Sequence, residues 1–305
     1  MRRRPPTSAV TILVAVRDDG ADLAATLKGV AGTCRDVRLD VVIADGGSTD
    51  PDTLSVLAEA RRTGMRVLDM DGWSSPARRL DAAARAARSD DLVFLEAGVV
   101  PRGAGWVEEL LSRAAAPRCG AVGALIASPN GVVYHAGFAV GPRFSVADRF
   151  GGSHASEAGH AGWLDVAQEV SAVSIAGMLT RRQDFEAVGG FDALRFPTSF
   201  FDVDYCLRLR AASRRVLFTP DARFELERWD PRNGSALWQP FADRQRAALA
   251  ERWRLVPGCD PFYSPWMATD GPTHSGLAWP PPPFEARQPH APTPFPSRVE
   301  MSEAR

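Results

Sequence analysis

Along the first hundred residues, short apolar runs alternate with longer stretches in which apolar residues recur every three or four positions. AVTILVAV (9 to 16), DVVIAD (40 to 45), RVLDM (66 to 70) and DLVFLE (91 to 96) read as strands rich in Val, Ile and Leu. Between and after them, ADLAATLKGVAG carries Leu23, Leu27 and Val30 at helical spacing, and SPARRLDAAARAARS opens with a capping serine followed by proline. WVEELLSRAAA reads as a further helix. This alternation predicts an α/β fold, a mostly parallel central sheet flanked by helices. Ligands of such sheets bind beyond the carboxyl ends of the strands, which puts Arg17, Asp45, Asp71 and Glu96 near one rim.

The second half is less regular. CGAVGALIA, VVYHAGFAVG and RVLFTP read as strands, RRQDFEAVGGF as a short helix closed by glycine, and FFDVDYCLRLRAASR as a helix opened by acids. After about residue 270 proline and polar residues dominate, with Pro280 to Pro283 consecutive, so an extended or disordered tail is expected. The chain shows no internal repeat.

Composition narrows the function. The 36 basic and 37 acidic side chains nearly cancel, leaving no cationic surplus for nucleic acid. The arginines of MRRRPP have no apolar segment behind them, so the reading is a cytoplasmic protein without a signal peptide or transmembrane segment. Cys34, Cys119, Cys206 and Cys259 lack C-x-x-C spacing and read as buried thiols.

Two short stretches suggest chemistry. ADGGSTD (44 to 50) follows a strand and supplies a carboxylate, two glycines and a capping Ser-Thr-Asp, a tight turn that presents Asp45 to a ligand over the sheet edge. Neither GxGxxG nor GxxxxGK[ST] spacing is present. FLEAGVVP (94 to 101) ends a buried strand with Glu96, then Ala97 and Gly98.

In order, VTILVAVR, VVIADGGSTD, LVFLEAGVVP, VGALIASPNGVVYHAG, GMLTRRQDFEAVGGFD, DVDYCLRLR and DPFYSP resemble family-2 glycosyltransferases of the GT-A fold, over residues 9 to 270. The similarity is nearest to the bacterial branch that makes O-antigen, capsule and rhamnan-type polysaccharides. The resemblance implies a nucleotide-sugar-binding half (9–118) and an acceptor-binding, catalytic half (119–270) with a smaller mixed subdomain, between an N-terminal arm (1–8) and a Pro-rich tail (271–305). It implies a nucleotide sugar and a hydroxyl-bearing saccharide acceptor as partners. A lipid-linked acceptor would bring the protein to the inner face of the cell membrane; oligomeric state is left open.

Position by position, the resemblance gives Ala15, Val16, Arg17 and Asp45 to the nucleobase and ribose. A carboxylate there accepts the imide N–H of uracil or thymine, which favours UDP or dTDP sugars. Arg78, Arg79 and Asp81 fall on the helix that faces the nucleotide, with Asp81 where the family usually shows Asn. Glu96 and Gly98 occupy the place of the family's D-x-D, and the histidine usual near Leu226 is absent. Glycine offers a hard cation no ligand. No cation is therefore assigned, Mg²⁺ or Mn²⁺ being the ions the family pattern would place there, and Glu96 is left to bind a cation, touch ribose hydroxyls or serve as a relic.

Arg78, Arg79, Arg228 and Arg232 are the candidates to stabilise the diphosphate instead. Asp202 matches the family's base for inverting transfer, while Gly190, Asp192 and Asp204 fall on the acceptor side, Asp204 also suiting a capping or orienting role. Gly177 or, two residues earlier, Ile175 corresponds to a glycine near the donor sugar. Trp106, Trp163 and Trp229 suit core or sugar stacking, and His135 a hydrogen-bonded structural role. The doubly altered metal positions favour an alternative, a degenerate member that binds nucleotide or a partner transferase as a scaffold.

Overall fold

A computed structural model describes residues 9–34, 37–72, 74–141, 146–226, 239–256, 260–268, 273–274 and 276–281. The expected N-terminal arm, Arg228, Trp229, Arg232, Cys259 and the tail from 282 lie outside the described residues.

Strands β1 (Val10–Val16), β2 (Leu39–Asp45), β3 (Arg66–Asp69) and β4 (Asp91–Glu96) pair in parallel, in the order β3-β2-β1-β4. The helices that connect them are α1 (Gly20–Thr33), α2 (Pro51–Arg62) and α3 (Pro76–Ala86). Asp50 caps α2, accepting from the Thr53 amide at 2.8 Å, and Ser75 caps α3 through the Arg78 amide. After β5 (Val99–Pro101) and α4 (Trp106–Ala114), β6 (Cys119–Ala127) extends the sheet, bordered by β7 (Val133–His135). The hairpin of β8 (Phe138–Val140) and β9 (Val146–Asp148) stands apart from it.

The rest of the sheet comes from later in the chain. The edge strand is β10 (Gln168–Glu169); β11 (Gly177–Arg181) runs antiparallel between β4 and β6; and β12 (Arg215–Leu226) lies parallel to β6. Helices α5 (Arg182–Ala187), α6 (Phe201–Ala211) and α7 (Gln239–Trp253) complete the described elements. The main path, β10-β12-β6-β11-β4-β1-β2-β3, is thus a mostly parallel sheet whose antiparallel pairings lie at β10 and β11.

Both faces of this sheet are covered. On β1 and β4, Leu13, Leu92 and Phe94 pack with α3 and α6 residues such as Leu80 and Tyr205, whereas Ile12, Val14, Val93 and Leu95 pack with Leu23 of α1 and Leu110 of α4. Alternate side chains point to opposite faces, so near-continuous apolar runs are what two covered faces require. Trp106 belongs to this core, 1% exposed and donating its indole N–H to Thr33.

VVYHAGFAVG, expected as one strand, is two. Gly137, at φ +90°, breaks the run, and β7 and β8 join different sheets. Just past residue 270 the chain still packs on the domain, for Thr273 is buried and donates to the Asp148 carbonyl at 2.6 Å.

Candidate active site

The carboxyl ends of β2, β1, β4 and the start of β11 form one rim. Asp45 lies beside Val16, Ala15 beside Glu96, and Leu95 beside Gly177. Asp202, in the first turn of α6, accepts from the Ile175 amide at 3.0 Å, two residues before β11 begins. Three inter-strand gaps, about 14 Å at normal strand spacing, separate β2, which ends in Asp45, from β11, beside which Asp202 is held.

At the β2 end, Asp45 is buried and mostly occupied with its own turn. Its carboxylate accepts the Ser48 hydroxyl at 2.5 Å and the Ser48 amide at 3.2 Å. Asp18, at φ +56°, accepts the amides of Thr49 and Asp50, which hold its carboxyl below the usual range. Arg17 is exposed and donates to the Gly72 carbonyl.

Arg79 closes this end from α3. It is 8% exposed, donates from Nη1 to the Val16 carbonyl at 2.9 Å, and packs so tightly over Gly46 that a Cβ there would lie 2.1 Å from Nη1. Burial and then Arg17 depress its pKa, while Asp45 and Asp19 oppose the shift. Arg78, one residue earlier, is exposed.

Asp81, expected to face the nucleotide, is turned elsewhere. It accepts the Phe191 amide at 3.3 Å and an ion pair from Arg85, and a Cβ on Gly190 would lie 2.2 Å from its Oδ1. The reason is geometric: two residues on from Arg79 is more than half a turn of helix, so the two side chains cannot share a face.

Gly98 likewise serves the backbone. At φ +90° it turns its amide back to α1, to the Asp22 carbonyl at 3.1 Å and the Thr26 hydroxyl at 3.0 Å. Glu96 is open to solvent at the tip of β4, with protein packed round it; that environment first, then Asp202 and Asp19, push its pKa up to about 7.

Asp202 is 9% exposed. Burial raises its pKa, against the amides of Ile175 and Val203, which donate to its two oxygens at 3.0 and 2.8 Å. The segment that supplies the Ile175 amide is itself held by His135. That imidazole, 1% exposed, accepts the Ser174 amide on Nε2 at 2.9 Å and the Gly137 amide at 3.2 Å, so Nδ1 carries the proton toward Asp148 at 2.9 Å. His135→Leu leaves both amides unpaired and is expected to lower stability by about 2 kcal/mol or more in urea denaturation, with His135→Gln recovering part of it.

Gly190, Asp192 and Asp204, which the resemblance gives to the acceptor, are joined by one network. Fully buried Asp204 pairs with Arg208 at 2.8 Å and Arg252 at 3.3 Å and accepts the Trp253 indole N–H at 3.0 Å. Arg208 donates to the Gly190 carbonyl, and Arg252 pairs with Asp192 at 2.6 Å. These groups tie the glycine turn to α6 and α7.

A family model described as "Glycosyltransferase like family 2" matches residues 5–250. The chain belongs to glycosyltransferase family 2. Among curated proteins, this family-2 chain is 31% identical over 272 residues to the O-antigen biosynthesis protein RfbC of Myxococcus xanthus, covering 87% of this chain and 21% of that protein. It is 28% identical over 273 residues to the uncharacterized protein y4gI of Sinorhizobium fredii, covering 87% and 30%. It therefore spans less than a third of the length of either relative.

Solved structures share its GT-A fold. The mannosyltransferase PcManGT of Pyrobaculum calidifontis, in complex with GDP-Man and Mn²⁺, superposes at a TM-score of 0.58 with 19% identity, over 81% of this chain and 66% of that one. GalNAc-T7 with UDP, GalNAc and Mn²⁺ gives 0.61 with 14% identity, over 81% and 48%.

Among the described residues the rim does not offer a hard divalent cation the set of oxygens it takes: Gly98 has no side chain, Glu96 is the one carboxylate at the tip of β4, with Asp19 and Asp202 acting on it from outside the strand, and no group of three acidic, histidine or cysteine side chains suited to a metal occurs there. Sequence reasoning also passed over Asp19 and Tyr134, both electrostatically coupled to Glu96. Asp19 belongs to the acidic pair following Arg17, and Tyr134 adjoins His135; those neighbours were the available signals.

Proposed function

We propose that this protein is an inverting glycosyltransferase that moves a sugar from a UDP or dTDP sugar to a saccharide hydroxyl without a bound metal, with Asp202 as base. The observation that carries the reading is a buried, proton-avid carboxylate at the start of α6, on the rim that also bears Asp45 and Glu96. A base with raised pKa takes the acceptor proton more readily, and the fixed amides of Ile175 and Val203 aim it.

In this reading Asp45 keeps lone pairs for a pyrimidine imide N–H beyond its Ser48 bonds, with Ala15, Val16 and Arg17 forming the rest of the nucleoside pocket. Arg79, with Arg78 on the same turn, offers positive charge to the leaving diphosphate. Its Nε has no hydrogen-bond partner among the described residues. Gly190, Asp192 and Asp204 shape the acceptor side indirectly, by holding the glycine turn.

Glu96 makes the reading testable. Below about pH 7 it is neutral; above, its charge faces Asp202, Asp19 and the incoming diphosphate. With chelator present, UDP affinity in calorimetric titration should rise as pH falls from 8 to 6, by roughly threefold to tenfold after solvent screening. Glu96→Gln should flatten that slope, the nucleotide's own titration being common to both proteins. A strict requirement for Mn²⁺, or affinity that falls with falling pH, sinks the metal-free reading. The altered metal positions favour one other reading, a nucleotide-binding scaffold for a partner transferase; tight UDP binding without donor hydrolysis or transfer would select it.

A further inference from the structure

One cavity, with a volume of about 580 Å³, is lined by none of the rim residues. Phe150, Gly151, Glu157, His160, Thr273 and His274 line it. Its wall is a stack of rings: His274 lies flat on Phe150 at 4.3 Å, Trp163 meets His274 edge-on at 5.7 Å, and His160 stands 6.0 Å away. Behind them Arg149, 1% exposed, sits 5.6 Å from both the Phe150 and Trp163 rings.

The polar atoms of this wall are under-used. Among the described residues, both ring nitrogens of His274 and the Nε and Nη1 of Arg149 are buried without a hydrogen-bond partner, although Arg149 Nη2 donates to Gln168 at 2.9 Å. Such groups are nearly always satisfied, and a buried cation lacking a close carboxylate is costlier still. Asp260 acts on Arg149 only at longer range, and Glu157, exposed at the mouth, is the only carboxylate among the described lining residues. Burial first, and then Arg149 and His160, push the His274 pKa down to about 3.

We propose that this cavity binds a small anionic group, a phosphate or a carboxylate, through His274 and His160, with Arg149 as the fixed charge behind them. The site reaches the rim through hydrogen bonds. Phe150 N donates to Thr273 Oγ1 and Thr273 Oγ1 to the Asp148 carbonyl, while the Asp148 side chain holds His135.

The test uses the full chain, with inorganic phosphate and glucuronate as probes and the histidine ring nitrogens followed by NMR. Burial, Arg149 and His160 set the titration of His274; the Tyr263 ring packs edge-on at 4.9 Å, Glu157 lies on the same cavity wall, and Asp260 acts on Arg149. Saturable binding in the millimolar range should raise the His274 pKa by about one unit or more, and His160→Ala or His274→Gln should weaken it at least about tenfold. Tighter glucuronate identifies an acidic sugar, and tighter phosphate a phosphate group. No change in either ring up to about 50 mM of both probes, or equal binding in both variants, overturns the site. Sugar transfer is not measured, so failure here leaves the role of Asp202 untouched.

Discussion

Asp202→Asn should lower kcat for sugar transfer by about three orders of magnitude while leaving UDP binding within about twofold. Asparagine keeps the shape but cannot take the acceptor proton. Both carboxylate oxygens accept backbone amides, so the substituted NH₂ must oppose one of them, at a cost of about 1–2 kcal/mol. Removing a charge that burial disfavours offsets part of that cost. The wild-type rate should disappear as pH falls through the Asp202 pKa, which lies above its ordinary value of 3.8, because the protonated acid is no longer a base. Rate against pH, with thermal melting as the control for folding, decides the matter: wild-type turnover in Asp202→Asn removes the base from the mechanism.

The largest expected loss of stability belongs to Asp204. Its substitution by Ala takes from Arg208, a side chain only 11% exposed, its one described carboxylate, takes from Arg252, 15% exposed, one of two, and removes the acceptor at 3.0 Å from the Trp253 indole N–H. Breaking a buried pair from one side typically costs about 3–5 kcal/mol, which for a domain of this size is a fall in Tm on the order of 10 °C. Replacing Asp204, Arg208 and Arg252 together by Leu, Met and Met should recover much of it, since the buried charges go together and Asp192 keeps Arg195 at 3.6 Å. A melting point unchanged in Asp204→Ala would mean that the network does not hold α7 on α6.

These cases show what the sequence makes legible. The β1–β4 region follows from composition, because a sheet covered on both faces demands uninterrupted Val, Ile and Leu, and caps such as Asp50 and Ser75 mark where helices begin. The rim followed from the same pattern, through the general rule for strand ends. Less visible was which way each polar side chain turns. Asp81 differs from Arg79 by two positions, yet their opposite facing depends on where α3 packs against β1 and the glycine turn. The support of Asp202 was hidden for a similar reason: Asp148, His135 and Ser174 are neighbours only because a hairpin and a loop far apart in the chain fold together. Gly137 is where local pattern failed outright, since a continuous apolar run conceals a left-handed residue.

The placement of β11 has a mechanical corollary. Because one short strand is laced to β4 on one flank and to β6 on the other, the β4 side and the β6 side of the sheet share a single backbone ladder. A clamshell motion that swung one half toward the other would have to tear that ladder, so any gating on substrate arrival falls to the loops above the rim, over a floor that stays put.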